Sequence, residues 1–173
     1  MNQVTLIHDE DEIAHRVGQL AVSIAASMPD GFLMVVLLKG GFVFAADLVR
    51  ALDGLGRRLR GEFLRLGSYR DGKESAGAVE LIGGVPDEID GQVVLLVDDI
   101  LDTGRTLERA RELVEAAGAA GVKTCALVDK PSRREIEINA DFVGFEVDDV
   151  FVVGYGIDYA EAYRHLPYLG KVD

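Results

Sequence analysis

The chain has little of three things that mark common protein classes: cysteine, long apolar segments and positive charge. Its one cysteine, Cys125, cannot form a disulfide within the chain, which is typical of proteins from a reducing compartment. We expect Cys125 to be a buried packing residue, since it lies in an apolar run. No segment approaches the roughly 18 apolar residues of a membrane span, and the first residues lack the pattern of a secretory signal. These absences predict a cytoplasmic protein with no membrane partner.

Positive charge is the third feature that the chain has little of. Lys and Arg number 18 against 30 Asp and Glu, which leaves a net charge of −12. Such a surface repels nucleic-acid phosphates unless its basic residues are concentrated on one face, and the sequence contains no basic run. We therefore expect no nucleic-acid partner. A small anionic substrate stays open, because a local site can oppose the net field.

The apolar residues that are present predict an α/β protein. Length and composition suggest a single domain over residues 1–173. Short apolar runs at 33–38, 93–97 and 122–128 predict strands that are buried on both faces. They alternate with helical periodicity, which favours a parallel sheet covered by helices. The predicted helices cover 13–24, 44–52 and 107–117, and the shorter predicted strands cover 59–69, 79–82, 142–144 and 151–153.

The segment after the strand at 93–97 carries the most chemical information. It begins with Asp98 and Asp99 and continues into Asp102-Thr103-Gly104-Arg105-Thr106 just before a helix. A helix N-terminus preceded by small and hydroxylated residues suits a phosphate group. The carboxylates could hold Mg²⁺ or accept hydrogen bonds from sugar hydroxyls, so a ribose 5-phosphate would match the whole segment. The simpler interpretation is a helix cap with solvated acids.

This segment resembles the phosphoribosyl pyrophosphate (PRPP)-binding motif of the type I phosphoribosyltransferases. The motif is a hydrophobic run, two acidic residues, two apolar residues and then Asp-Thr-Gly-basic-Thr. From about residue 36 to 164 the chain is similar to the hypoxanthine-guanine branch of that family. Three further patches carry this narrower match: Leu38-Lys39-Gly40-Gly41, Arg65 with Ser68-Tyr69, and the segment 142–159.

The resemblance implies the type I phosphoribosyltransferase fold, a parallel sheet flanked by helices with a small hood. The core would span about 30–145, and the hood would combine the N-terminal segment with about 146–173. It also implies Mg²⁺-dependent transfer of a phosphoribosyl group from PRPP to a 6-oxopurine, in a homodimer or homotetramer.

Site roles follow from the same resemblance. Asp102 matches the acid/base candidate that interacts with purine N7. The family often has a cis peptide before the position of Lys39, and many members have Glu where this chain has Asp98. Asp98, Asp99 and Asp158 match positions near Mg²⁺. The residues implied to bind PRPP are Lys39, Gly40, Asp98, Asp99, Asp102, Thr103, Gly104, Arg105, Thr106 and Arg164.

The resemblance also implies which residues bind the base and which form the flap. Lys130 would donate to purine O6, Phe151 would stack on the base, and Val152 and Asp158 would meet its edge. Lys130 could instead be a surface lysine and Phe151 a core residue. Arg65, Ser68 and Tyr69 match the active-site flap, followed by a predicted mobile loop at 70–77.

Three other functions compete with this hypothesis. Xanthine could be the preferred base, because Lys130 does not distinguish among 6-oxopurines. A nucleic-acid-binding regulator with this fold is disfavoured by the negative charge. An adenine or pyrimidine phosphoribosyltransferase would share the phosphate motif but not the patches at Lys130 and Phe151.

Overall fold

The computed structural model describes residues 3–68 and 79–172, which form two sheets and three α-helices. Single turns of 3-10 helix lie at Asp87–Ile89 and Pro131–Arg133. In chain order, the other elements are β1 (Val4–His8), α1 (Glu10–Ser27), β2 (Leu33–Leu38), α2 (Phe42–Gly54), β3 (Arg60–Ser68), β4 (Val79–Leu81), β5 (Val93–Leu101), α3 (Arg105–Ala116), β6 (Gly121–Asp129), β7 (Phe142–Glu146), β8 (Phe151–Val153) and β9 (Leu169–Val172).

The larger sheet has the strand order β4-β3-β2-β5-β6-β7. Every pairing from β3 to β7 is parallel, and β4 runs antiparallel to β3 at the edge. The central strands are almost wholly apolar because helices cover both faces of the sheet. The predicted parallel sheet with flanking helices is confirmed, and the antiparallel edge strand is a departure from it.

Two apolar clusters hold the helices against the sheet. α1 and α2 pack on one face and α3 on the other. α1 begins with a reciprocal cap, in which the Asp9 side chain accepts from the Glu12 N–H and the Glu12 side chain accepts from the Asp9 N–H. Cys125 lies in the first cluster, and its burial raises the pKa of the thiol above its ordinary value. The expectation that Cys125 is a packing residue is therefore confirmed.

The smaller sheet joins the two ends of the described chain. Its order is β1-β9-β8 and both pairings are antiparallel. We call it the terminal sheet. Sequence patterns did not predict β1 or β9, because both are short and β1 alternates poorly between buried and exposed positions. Among the described residues, no helix has both the length and the apolar character needed to cross a membrane.

Candidate active site

The carboxyl ends of β2 and β5 enclose a polar cavity of about 300 Å³. Such crevices at the ends of parallel strands are where α/β proteins bind ligands. The cavity is lined by Leu37, Leu38, Gly40, Asp98, Asp99, Ile100, Leu101, Asp102, Thr103, Gly104, Thr106 and Leu107. The fold therefore gathers Gly40 and most of the predicted PRPP-binding positions at 98–106 around one space, whereas Lys39 and Arg105 do not line it.

The loop after β2 approaches β5 closely at Gly40. The Leu38–Lys39 peptide is cis. A Cβ atom on Gly40 would lie 1.7 Å from Oδ2 of Asp99. Only glycine leaves room for the Asp99 carboxylate beside this loop.

The two adjacent aspartates belong to β5 itself, since this strand continues four residues beyond the predicted end at Val97. Oδ1 of Asp98 accepts from the Asp99 N–H, and Oδ1 of Asp99 accepts from the Ile100 N–H, both at 2.9 Å. Burial, reinforced by the neighbouring Asp99, raises the pKa of Asp98 well above its ordinary value. Burial also raises the pKa of Asp99, against the lowering effects of its hydrogen bonds with Asp98 and Ile100 and, less strongly, of the charge of Arg164. A ligand that brings a cation or hydroxyl donors would relieve this unfavourable burial.

Residues 102–106, which we call the phosphate loop after their predicted role, turn at Gly104, whose φ of 91° is left-handed. A Cβ at this position would lie 2.5 Å from Cγ2 of Ile138, so glycine is required for both conformation and space. α3 begins at Arg105 without a side-chain cap at Gly104, and the Thr103 hydroxyl accepts from the Arg105 N–H at 3.4 Å. The first turn of α3 therefore presents the positive end of the helix dipole to the cavity.

Asp102 does not serve as the cap of α3. Its carboxylate instead pairs with Nε of Arg133 at 3.3 Å, and Arg133 also lies 3.6 Å from Asp149. The Asp102 side chain is half-buried at the rim of the cavity. The simpler interpretation of Asp102 as a helix cap is wrong.

Lys130 and Phe151 lie beside each other near the end of β5, and we call this pair the base slot because both positions are predicted to bind the purine. Lys130 is 6% exposed, and within the described part of the chain its ammonium forms no ion pair or hydrogen bond. Its Nζ lies 5.9 Å from the ring centroid of Phe151, which is 58% exposed and meets Tyr159 edge to face. The alternatives of a surface lysine and a core phenylalanine are both wrong.

The loop before β9 brings charged groups to the same edge. Nη2 of Arg164 pairs with Oδ1 of Asp158 at 2.9 Å, and Nη1 donates to the Gly156 carbonyl at 2.8 Å. A Cβ on Gly156 would lie 2.4 Å from the Gly40 carbonyl oxygen, so this loop packs directly on the loop that carries Lys39. The segment of Arg164 and Asp158, distant in sequence, is thus brought next to the loop after β2, although neither side chain lines the cavity.

Comparison with known proteins agrees with this geometry. Residues 3–160 match the family model described as the phosphoribosyl transferase domain. The hypoxanthine-guanine phosphoribosyltransferase of Aquifex aeolicus is 42% identical over 173 residues, covering 99% of this chain and 96% of the relative. The chain belongs to the hypoxanthine-guanine phosphoribosyltransferase family.

Solved structures of this family share the fold. A hypoxanthine-guanine phosphoribosyltransferase from Bacillus anthracis superposes with a TM-score of 0.91 at 34% identity, with all of both chains covered. The hypoxanthine phosphoribosyltransferase of Trypanosoma cruzi, solved with its product IMP, superposes with a TM-score of 0.89 at 32% identity, covering 99% of this chain and 95% of that one. The predicted type I phosphoribosyltransferase fold is confirmed.

Several predicted positions of this phosphoribosyltransferase do not line the cavity or lie outside the described residues. Arg65 is exposed on β3, and the backbone of Ser68 pairs with Val79. Tyr69 and the predicted mobile loop at 70–77 lie outside the described residues. Arg105 points to Glu135, with Nε 2.7 Å from Oε2. Val152 is buried, and its backbone pairs with Lys171.

Arg134 is a residue beside the candidate site of this phosphoribosyltransferase that the sequence did not predict. Its guanidinium donates to the carbonyls of Leu101, Asp102 and Ile138 at 2.7–2.9 Å and pairs with the Asp129 carboxylate. It thereby joins the end of β5 to the end of β6. The sequence feature that could have pointed to Arg134 is the adjacent pair Arg133-Arg134 in an acidic chain. Which of the two arginines points inward depends on the folded structure.

The size of a cavity does not by itself identify the active site of this phosphoribosyltransferase. A cavity of about 680 Å³ lies between α1 and α2, and its lining is mainly apolar. Of the predicted site residues it includes Arg164 alone among those described. The smaller polar cavity is the better candidate, because it combines buried carboxylates with a helix N-terminus.

Proposed function

We propose that this enzyme transfers the 5-phosphoribosyl group of PRPP to N9 of hypoxanthine or guanine, giving IMP or GMP and pyrophosphate for purine salvage. The observation that carries the proposal is the position of Lys130, which is 6% exposed and has no ion pair or hydrogen bond from its ammonium among the described residues, beside the exposed ring of Phe151. The Lys130 N–H donates to the Leu101 carbonyl at 3.0 Å, so this slot adjoins the phosphate loop. A base and a ribose phosphate could thus be held side by side.

Selection of the base follows from the chemistry of Lys130. An ammonium donates hydrogen bonds and accepts none, so it favours a 6-oxo group over a 6-amino group. Phe151 would stack on one face of the purine. Val152 would meet the base edge through its backbone.

The carboxylates fit a magnesium ion that arrives with PRPP. Mg²⁺ commonly binds one or two carboxylates and takes its other ligands from water and substrate phosphates. Asp98 and Asp99 offer such oxygens, with Asp158 as a third candidate. Among the described residues, no cluster of three or more His, Cys, Asp or Glu could hold a metal without the substrate. When bound, the metal would offset charge on the departing pyrophosphate.

Different residues of the enzyme would serve different parts of the reaction. As N9 bonds to C1 of the ribose and the C1–oxygen bond to pyrophosphate breaks, the purine loses a proton. Asp102 would hold or accept a proton at purine N7. Residues 102–106 would cradle the 5-phosphate, while Lys39, Gly40 and Arg164 would hold the pyrophosphate. Arg65, Ser68 and Tyr69 would close over the site and exclude water.

We further propose a division within one domain and a homo-oligomeric state. Residues of about 30–145 would form the core, and the terminal sheet with the rest of 146–173 would form the hood over the base. The assembly would be a homodimer or homotetramer.

The test of the function is pyrophosphate release in the presence of PRPP and Mg²⁺ with hypoxanthine, guanine, xanthine and adenine in turn. We expect turnover with 6-oxopurines and little with adenine, because Lys130 cannot accept a hydrogen bond from the 6-amino group. Xanthine as the best substrate would change the assigned base. Absence of turnover with every base would refute the proposal.

Replacing Lys130 with methionine should specifically weaken recognition of the 6-oxo group. Because a hydrogen bond from a charged group contributes about 1.5–3 kcal/mol, we expect kcat/KM for hypoxanthine to fall roughly 10- to 150-fold. Discrimination against adenine should shrink by a similar factor. Steady-state kinetics with both bases measures this change.

Lys123→Met is the matched control for this variant. Lys123 lies on β6, the strand that ends just before Lys130, and its Nζ is 5.7 Å from the ring centroid of Phe142 rather than Phe151. Its replacement should leave base selectivity unchanged. Equal selectivity losses in the two variants would argue that Lys130 acts through the fold alone.

A further inference from the structure

A carboxylate of the chain itself lies between two cations that the proposed function assigns to pyrophosphate. Oε2 of Glu161 is 2.9 Å from Nζ of Lys39, and Oε1 is 3.5 Å from Nη2 of Arg164. Lys39 and Glu161 are 122 positions apart in the sequence. The contact is thus made by folding, and it neutralises charge that a pyrophosphate group would need.

The backbone holds Glu161 at this place. Ala160, Glu161 and Tyr163 all have left-handed backbone angles, with φ of 51°, 64° and 72°. Such angles are uncommon for residues other than glycine and persist where surrounding contacts impose them. Here the Glu161 N–H donates to Oδ2 of Asp158 at 2.8 Å. The turn, supported by this contact with Asp158, therefore fixes the position of Glu161 beside the two cations.

The electrostatic setting favours the ionised carboxylate. The hydrogen bond from Lys39, with the charges of Lys39 and Arg164, lowers the pKa of Glu161 below its ordinary value. At neutral pH the group is an anion in contact with two cations. Any second anion that approaches Lys39 and Arg164 meets this negative charge first.

We propose that Glu161 is an internal competitor for pyrophosphate, and this inference rests on the proposed function. In the free enzyme its carboxylate pairs with Lys39 and lies beside Arg164, whose closer partner is Asp158. The pyrophosphate group of PRPP, or the released product, must displace it to bind them. A ligand that has to displace a bound group binds more weakly by the free energy of that contact. Glu161 would thus lower the affinity for pyrophosphate and favour its release.

The experiment is calorimetric titration of wild type and Glu161→Gln with inorganic pyrophosphate in a buffer that contains Mg²⁺. Glutamine keeps the size of the side chain but removes its charge. Exposed ion pairs are individually weak, so we expect the Kd for pyrophosphate to fall about three- to tenfold. The KM for PRPP should fall in the same direction.

Glu112→Gln is the matched control. Glu112 forms an exposed ion pair with Arg109 on α3 at 3.0 Å, and its replacement changes the net charge by the same amount. It should leave the Kd unchanged. A second control repeats Glu161→Gln in a Lys39→Met background, where the gain in affinity should shrink because one of the released cations is missing.

The outcomes separate this inference from the function on which it rests. The inference alone is overturned if the wild type is active and Glu161→Gln leaves its affinity for pyrophosphate unchanged or reduces it. Reduced affinity would mean that Glu161 positions the two cations. An equal gain in Glu112→Gln also overturns it, since net charge would then be the cause. A wild type that neither binds pyrophosphate nor turns over PRPP refutes the proposed function as well.

Discussion

Replacing Asp102 with asparagine is expected to lower kcat about 10²- to 10⁴-fold, the usual contribution of a positioned acid or base. Asparagine keeps the shape of aspartate but cannot accept a proton at neutral pH. The carboxylate is half-buried at the cavity rim, where a purine held by Lys130 and Phe151 would present its N7. Steady-state kinetics with saturating PRPP and hypoxanthine measures the change.

The contact between Asp102 and Arg133 requires a control. Asp149→Asn removes the other carboxylate near Arg133, which lies 3.6 Å away, and leaves the phosphate loop unchanged. We expect nearly normal kcat in this variant. If Asp102→Asn also kept kcat within about threefold of wild type, proton transfer would have to be assigned elsewhere.

Replacing Arg134 with methionine should reduce both stability and activity. Its side chain is 14% exposed and its partner Asp129 is 12% exposed, so the variant leaves a buried carboxylate without its cation. Removing one partner of a buried pair typically costs about 3–5 kcal/mol of unfolding free energy. Urea unfolding measures this loss.

Arg134 would affect activity by holding other residues in place rather than by contacting the substrates itself. Arg134 binds the carbonyls of Leu101 and Asp102 on one side and the Asp129 carboxylate on the other. Without it, the phosphate loop and the base slot lose a shared anchor, so kcat/KM for both substrates should fall together.

Arg134→Lys distinguishes charge from geometry. Lysine retains the positive charge but lacks the planar fork that reaches several acceptors at once. We expect part of the stability to return in this variant, with activity still impaired. Full recovery of kcat/KM with lysine would show that charge alone is needed. Normal stability and kinetics in Arg134→Met would contradict the assigned role.

The contiguous parts of the site were predictable from sequence. Asp98 to Thr106 follow one another along the chain, so a buried strand, a phosphate loop and a helix start could be recognised without knowing their partners. The same holds for Lys39 and Gly40 at the end of the strand at 33–38. The end of β5 was placed four residues too early, because strand pairing continues through polar residues when a neighbour such as β6 supplies the hydrogen bonds.

The residues that depend on distant partners were not predictable from pattern. Arg134 and Glu161 have ordinary surface-residue types, and their roles arise from contacts with Leu101 and Lys39. The antiparallel β4 and the terminal sheet likewise depend on pairing between separate segments. Short strands carry little periodicity of their own, so their pairing is decided by the rest of the fold.

By itself, the sequence determined the α/β class and the chemistry of the segment at 98–106, because both reside in short-range patterns of burial and side-chain type. Tertiary structure alone decided that Lys130 is a buried residue, that Phe151 is exposed beside it, and that Glu161 lies between Lys39 and Arg164. The physical reason is that burial and ion pairing depend on which distant segments the folded chain brings into contact.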